Sequence, residues 1–428
     1  MNIEEYITTL TEQIRCKKAR PGVAQEIRNH ILDQMQVYEQ DGMEHEKAVE
    51  AAVREMGDPV EAGVALDRIH RPQFDWRLFV MTVLFSFAGI FLMELTGALG
   101  QDSGLLLRQC LFTFAGIGVV LFICFVDYTV VAKYALPIYI LMSIAFIVYY
   151  KTGTRVNGCI PAFRSLAYLY IPVYAGILYH YRGKSRRNIV KALLFLIVTA
   201  FLAAQLAVSM FIGFGVGAIC TVLFLYAFIK GWFGKKEKRL AMIISVFVSV
   251  LAIFAVYILF FAYDYQKMRI IAFLNQNNYQ QTENFLLTLT RSVHANAQII
   301  GGNAQTVLEE GLVYNNTFLI LTQSVAMYGM IAGAAMIAAF ALLGVCAFRI
   351  VKHQKNQFGM LLSAACFLLV IYNCIIGVLM NFGLYPLGTL QFPFLTRGGS
   401  ATFMYAVIIG LLMSCNRYEK IIDVSAQG

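Results

Sequence analysis

Charge is scarce in this sequence of 428 residues: only 14% are Asp, Glu, Lys or Arg, while 59% are hydrophobic. Soluble globular proteins carry about 25% charged and about 45–50% apolar residues, so an ordinary soluble enzyme is excluded. The nine cysteines form no C-x-x-C pair, and most lie inside apolar runs, where a thiol behaves as a small hydrophobe. They argue neither for a metal centre nor for a disulfide framework. The amino-terminal stretch MNIEEYITTLTEQIRCKK lacks an apolar core followed by a cleavage site, so the first transmembrane helix is expected to target the chain. No phosphate-cradling glycine loop, Ser/His/Asp arrangement or zinc spacing is present.

Acidic residues are scarcest of all beyond the first 72 positions. Residues 1–72 hold 9 basic and 14 acidic side chains, leaving 25 basic and only 11 acidic for the rest, so the net +9 divides into −5 and +14. In a soluble protein such a basic excess would suggest nucleic acid; in a membrane protein it reflects basic cytoplasmic loops, and no nucleic-acid partner is expected.

What the sequence has in abundance is apolar runs of about 20 residues, each long enough to cross a bilayer. They fall at about 78–98, 106–126, 130–150, 165–181, 191–208, 211–230, 241–263, 317–348, 358–383 and 400–415. The expected fold is all-α: a polytopic membrane protein with ten transmembrane helices and a small soluble N-terminal helical domain. The split of 191–230 rests on Ser209 and the glycines Gly213, Gly215 and Gly217. Ten spans put both termini on one side. The basic groups Arg182 to Lys191, Lys235 to Arg239, Arg349 to Lys355, and Arg417 with Lys420 all fall on that same side, which the positive-inside rule makes cytoplasmic.

Residues 1–72 read as a cytoplasmic helical domain. Ile3, Tyr6, Ile7, Leu10 and Ile14 recur at helical spacing, Pro21-Gly22 interrupts, and Val23, Ile27, Ile31, Met35 and Tyr38 resume up to Asp41-Gly42. Ala48, Ala51, Ala52 and Met56 mark a third helix. Gly57-Asp58-Pro59 ends it and supplies an N-cap and N1 proline for a fourth, with Ala62, Ala65, Leu66 and Ile69. The segment resembles the prefix domain found ahead of some bacterial permeases, which implies interaction or regulation.

Residues 73–428 form the membrane domain, with two notable outer loops. The first, about 264–316, is too long for a simple connection and contains amphipathic stretches around Ile270 to Leu274 and Phe285 to Leu289, expected to be short helices on the bundle or the membrane surface. The second, 384–399, contains Pro386, Gly388, Pro393, Gly398 and Gly399 and cannot continue a membrane helix; it is expected to line a cavity.

Asn381, Gly383, Leu384, Pro386, Pro393, Phe394, Gly398, Gly399 and Ser400 fall without a gap on the signature loop of the SEDS family, which the sequence resembles over about 74–420. That family contains RodA, FtsW and SpoVE. Arg269-Ile270 with Phe273-Leu274, Tyr279-Gln280, and Gln305 with Leu308-Glu309 extend the likeness into the large outer loop; Asp75-Trp76, Asp127-Tyr128 and Asn157-Gly158 match more loosely. The resemblance implies a membrane protein of peptidoglycan synthesis, acting in cell shape, division or sporulation at the bacterial plasma membrane. It further implies binding of lipid II, an undecaprenyl-linked precursor, polymerisation as a glycosyltransferase with a divalent cation, and a class B penicillin-binding protein as partner.

Catalysis of that kind requires a carboxylate to take the proton of the attacking sugar hydroxyl and cations to hold the diphosphate leaving group. Gapless continuation places Thr317 where the family keeps its essential aspartate, preceded by Asn315 and Asn316. Leu312-Val313 replaces the family's Pro-Glu pair, and the acidic positions near Tyr170 to Val173 and Gln205 to Ser209 are also lost. Two expectations follow: a polymerase with a displaced base, for which Glu309 is the nearest candidate beside Glu310, or a degenerate homologue that holds the precursor or serves as a scaffold. The implied substrate-binding set is Arg269, Gln280, Gln305, Asn316, Arg397, Gly398, Gly399 and Ser400. Arg269 and Arg397 would supply cations for diphosphate, although an interfacial arginine also commonly snorkels to water. Asn373 is expected to bond between helices, and His294 reads as a lone loop histidine.

Overall fold

The computed structural model describes residues 1–96, 103–156, 160–183, 185–233, 255, 257–279, 284–302, 317–386, 392–419 and 421. Among these the regular structure is helical. The chain divides into two compact units: Met1–Asp75 with Gln354–Gly359 and Cys415–Gly428, and Trp76–His353 with Met360–Ser414.

The first unit is built on four helices, α1 (Ile3–Glu12), α2 (Arg20–Gln40), α3 (His45–Glu55) and α4 (Pro59–Ile69). The first starts from a capping box: the Asn2 side chain accepts from the Glu5 N–H at 2.7 Å and the Glu5 carboxylate reaches back to the Asn2 N–H. Asp58 caps α4 through the N–H groups of Val60 and Glu61, with Pro59 at the first helical position, as the Gly57-Asp58-Pro59 run predicts. Pro21 does not break a helix here. It sits in the first turn of α2, where its missing N–H costs nothing. Tyr6, Leu10, Ile14, Ala19, Val23, Ile31, Ala52 and Val53 form the core, which Ile421 joins and against which Tyr418 packs. Buried Asp67 accepts from the Arg15 N–H at 2.8 Å.

In the second unit, eight helices among the described residues are long and apolar enough to cross a membrane. They comprise α5 (Trp76–Leu95), α6 (Ser103–Phe125), α8 (Ala135–Thr152), α11 (Arg186–Ala207), α12 (Met210–Ile229), α16 (Met330–His353), α17 (Gln357–Asn381) and α18 (Gly399–Arg417). Ten spans are expected, and the difference has identifiable causes. The run at 165–181 is helical but jointed: α9 (Phe163–Leu166), a 3-10 turn at Ala167–Leu169, then α10 (Tyr170–His180). The run at 241–263 lies mostly outside the described residues. Two other expected spans are also interrupted. A short α7 (Thr129–Lys133) precedes α8, and 317–348 splits into α15 (Ile320–Tyr328) and α16.

The division of 191–230 falls where expected, but not because of the glycines. Val208 turns into the left-handed region at φ 49°, and its carbonyl accepts from Tyr265 Oη at 3.0 Å and Gln266 Nε2 at 2.9 Å. Those two residues open α13 (Asp264–Leu274), so the start of the large loop is bonded to the α11–α12 turn. The loop continues through a 3-10 turn at Gln276–Tyr279 into α14 (Phe285–Ala295).

Candidate functional site

Residues one turn apart on a helix share a face, and on α14 Arg291 and His294 both turn towards the end of α17. Arg291 donates from Nε and Nη2 to the Gly383 carbonyl at 3.1 and 2.6 Å, and from Nη1 to Gln276 Oε1. His294 Nε2 donates to the Asn381 carbonyl at 3.1 Å, and its ring stacks on Phe382 with centroids 4.3 Å apart. Burial, acting against the hydrogen bond to Asn381, lowers the His294 pKa from its usual 6.5.

Asn381 is the centre of the arrangement. It is fully buried, and its amide satisfies both sides of its hydrogen-bonding capacity. Nδ2 donates to the carbonyls of Phe318 at 3.0 Å and Gly377 at 2.8 Å, while Oδ1 accepts from the Thr322 N–H at 3.0 Å. The Thr322 hydroxyl lies 3.0 Å from the Asn381 carbonyl oxygen and 3.1 Å from Oδ1. Thr322 is the third residue of α15, whose N–H has no partner within its own helix. Asn381 therefore caps α15 from another element and ties down the 3-10 turn Thr317–Leu319 through the Phe318 carbonyl. The backbone at Thr317 is thus held next to a fixed point.

The interruption between α15 and α16 is also stitched. Gly329 adopts φ 89° and ψ 177°, a conformation essentially restricted to glycine, and a Cβ there would stand 2.7 Å from the Ile299 carbonyl oxygen. Backbone groups freed by the break pair with the large loop: Met330 N–H to Gln298 O at 2.9 Å, Ile331 N–H to Ile299 O at 3.2 Å, and Gly301 N–H to Tyr328 O at 3.2 Å. Non-helical backbone at membrane depth is tolerated only with such satisfaction, and broken helices of this kind border ligand sites in transporters.

The second outer loop packs inward. Phe392 stacks on Phe340 of α16, centroids 4.7 Å apart, and Thr396 Oγ1 donates to the Phe392 carbonyl at 3.3 Å. Phe394 holds φ 59°, rare for an aromatic residue, with its carbonyl pressed against Gly89 of α5, where any Cβ would clash. The Gly398 N–H donates to buried Gln109 Oε1 of α6 at 3.1 Å, and its carbonyl accepts from Thr402 Oγ1 at 3.2 Å as α18 begins. Gly399 abuts Phe112, and Ser400 is half-buried.

Among the residues expected to bind substrate, Gly398, Gly399 and Ser400 thus belong to a built loop. The side chain of Arg397, which precedes them, is exposed, as is Arg269, whose guanidinium lies 5.9 Å from the Tyr265 ring centroid. Gln280, Gln305, Glu309 and Asn316 lie outside the described residues, and of Thr317 only the backbone is described. Asn373 is buried beside Tyr405. Gln109, Arg291 and Thr322 are absent from the sequence-based set, and His294 stands on a helix and bonds the Asn381 carbonyl rather than lying in a loop. A signal existed only for Asn381, through its place in the family pattern. Glu94 and Asp264 are exposed, and among the described residues no three His, Cys, Asp or Glu side chains converge to hold a metal ion.

A family model, FTSW_RODA_SPOVE, described as cell cycle protein, matches residues 73–421. Two curated proteins are similar to part of the chain: a probable peptidoglycan glycosyltransferase FtsW of Alcanivorax borkumensis, 34% identical over 20% of this chain and 23% of its own length, and one of Helicobacter pylori, 28% identical over 24% and 27%. The chain thus aligns with about a quarter of the length of these relatives. Among solved structures, a chain from a study of polymerization and crosslinking by a peptidoglycan synthase complex superposes with a TM-score of 0.62 at 17% identity, covering 80% of this chain and 98% of that one. Thermus thermophilus RodA, the rod shape determining protein, superposes with a TM-score of 0.55 at 14% identity, covering 81% and 97%.

Proposed function

The chain belongs to the FtsW/RodA/SpoVE family of cell-cycle proteins, and from that premise we propose that it works in peptidoglycan synthesis at the bacterial plasma membrane, with a site on the outer side that receives lipid II. The observation that carries the reading is the Asn381 junction. It holds the backbone beside Thr317 through Phe318 and Thr322, joining the signature loop to the position where the resemblance puts the family's aspartate. The Gly398 to Ser400 turn and the stitched break at Gly329 are further stretches of ordered non-helical backbone in the same domain. In this reading both termini are cytoplasmic, residues 1–72 form a soluble prefix domain, the ten-span topology holds, and a class B penicillin-binding protein is the partner, in keeping with the synthase complex among the structural neighbours.

The chemistry depends on one proton. A glycosyl transfer needs a base for the attacking hydroxyl, and threonine is not one at neutral pH. Polymerisation by this chain therefore draws on Glu309 or Glu310, the carboxylates nearest Thr317 in sequence. A divalent cation would neutralise the diphosphate leaving group. The second reading, a protein that holds lipid II without polymerising it, rests only on Thr317 standing where the resemblance puts the family's aspartate.

The test is a lipid II assay with divalent cation on wild type, Thr317→Asp and Glu309→Gln/Glu310→Gln. Glycan strands from wild type that disappear in the double variant establish the displaced base. Strands from Thr317→Asp alone establish the holding role, and absence of lipid II binding to wild type overturns the proposal.

A further inference from the structure

Helix α13 (Asp264–Leu274) is apolar on two sides. One side is fastened to the bundle. Tyr265 Oη and Gln266 Nε2 donate to the Val208 carbonyl at 3.0 and 2.9 Å, and Ile270 packs against the cluster that Ala204, Met210, Tyr257 and Ala262 form. Gln266 and Ala272 are buried on this side. The other side carries Met268, Ile271 and Leu274, spaced three apart and all exposed, with Leu274 showing 74% of its surface. Tyr265 is exposed as well, and its ring stacks on Tyr263 with centroids 5.9 Å apart.

Exposed hydrophobes scattered singly are ordinary at a protein surface, but a helix that is apolar on both sides belongs in apolar surroundings. What surrounds the outward side follows from what α13 is joined to. Val208 is the turn between α11 and α12, two helices long and apolar enough to cross a membrane, so the bonds to its carbonyl hold the start of α13 at the level where these two spans meet. Exposed aromatic residues lead from a span to the helix. Phe201, exposed on α11, meets Phe261 edge-on at 5.4 Å; Phe261 and then Tyr263 are exposed in turn, and Tyr263 stacks on Tyr265. The outward side of α13 therefore continues an apolar surface that begins on a membrane span. Lys267 reaches back along it, with Nζ donating to the Leu259 carbonyl at 3.4 Å. Tyrosines together with basic residues mark the headgroup level, and helices lying there carry apolar residues on one side and Lys or Arg beside them.

We propose that α13 is an interfacial helix whose outward side, formed by Met268, Ile271 and Leu274, is sunk about 5–10 Å into the boundary between headgroups and acyl chains, so that its partner is the lipid surface itself. The large loop then starts from a helix held in height by the Val208 carbonyl on one side and by lipid on the other. This placement is separate from the junction at Asn381 and does not depend on the peptidoglycan reading.

The chain has two tryptophans, so Trp76→Phe/Trp232→Phe gives a background in which one added indole is the only reporter. Single Met268→Trp, Ile271→Trp and Leu274→Trp variants of the full chain are reconstituted in phosphatidylcholine vesicles. Two references accompany them: Leu84→Trp at an exposed position in the middle of α5, and Gln25→Trp at an exposed position on α2. Lipids brominated near the glycerol end of the acyl chains should quench the three α13 variants more than lipids brominated near the chain end, and Leu84→Trp should show the reverse order. Acrylamide in the water should quench the α13 variants less than Gln25→Trp. Three positions keep the test informative if one variant folds poorly. Acrylamide quenching of all three at the level of Gln25→Trp, with no loss of fluorescence to either brominated lipid, overturns the proposal, whether that side then lies open to water or receives a protein partner. Stronger quenching of all three by the chain-end bromines also overturns it, since α13 would then lie within the bilayer rather than at its surface.

Discussion

Replacing Asn381 by alanine should release the segment that follows Thr317. In the intact protein the Asn381 side chain supplies the acceptor for the Thr322 N–H and a donor for the Phe318 carbonyl, and it is itself fully buried. Alanine leaves that N–H and that carbonyl without their partner. An orphaned buried polar group costs about 1–3 kcal/mol, so the two together cost about 2–6 kcal/mol. The burden falls on α15 and its preceding turn, because the Gly377 carbonyl, also bonded by Nδ2, keeps its place inside α17. At the low end, an opening made easier by about 2 kcal/mol speeds amide exchange roughly thirtyfold. Hydrogen–deuterium exchange read by mass spectrometry on peptides covering residues 317–328, with α12 as the internal reference, measures this directly. Asn381→Asp separates the two halves of the junction. It retains an acceptor for Thr322 but turns an oxygen towards the Phe318 and Gly377 carbonyls, so it should open the segment at least as much as alanine does. Unchanged protection across 317–328 in both variants would refute the capping argument, as would wild-type behaviour of Asn381→Asp.

Gly329→Ala meets both the restricted backbone conformation and the Ile299 carbonyl, so thermal unfolding in detergent should show a loss of at least about 1–3 kcal/mol; an unchanged midpoint would mean the break between α15 and α16 does not hold. His294 has a lowered pKa because burial disfavours its charged form, so the opened state binds the extra proton first. The docking of α14 is therefore fully present above the ordinary histidine value of 6.5 and weakens as pH falls through it towards the lowered one. Exchange of 285–295, corrected for intrinsic pH dependence, should rise on acidification in wild type and lose that response in His294→Gln. Arg291→Gln removes hydrogen bonds to Gly383 and should increase protease nicking within the large loop before any change in α12. Deleting residues 1–70 should leave membrane insertion intact, since α5 is itself long and apolar enough to target the chain; recovery in the soluble fraction would contradict this.

How much could be read in advance varied with the kind of information each element needs. Helical spacing and caps are local, so the four helices of residues 1–72 and the Gly57-Asp58-Pro59 boundary were legible. Span placement was legible wherever an apolar run coincided with one uninterrupted helix, as in α5, α17 and α18. It failed where the run concealed a joint, because apolar composition does not distinguish a straight helix from one interrupted at Gly329 or relayed through a 3-10 turn at Ala167. Such joints exist only because a distant segment satisfies them, and Gln298 to Gly301 lies about thirty positions before the groups it pairs with. Arg291 and His294 were opaque for the same reason, since their partners are backbone carbonyls more than eighty residues away.

The candidate site itself divides along a related line. Its backbone framework is written in residues with conformational meaning: glycine where the turn at Gly398 adopts φ 130°, proline where a helix cannot continue, asparagine where two foreign backbone groups need an amide. Those residues stand out against the apolar runs on either side, where the signature loop aligns without a gap. The reactive carboxylate is different, since it needs only a side chain at the right place and leaves no conformational trace around it. The cap on α15 and the identity of the side chain at position 317 are therefore independent of one another. Under the proposed function, a chain can keep the Asn381 junction whether or not the residue at position 317 can take a proton. Restoring an acid by Thr317→Asp then tests chemistry alone, because the backbone that would present it is held by Asn381 rather than by the residue being changed.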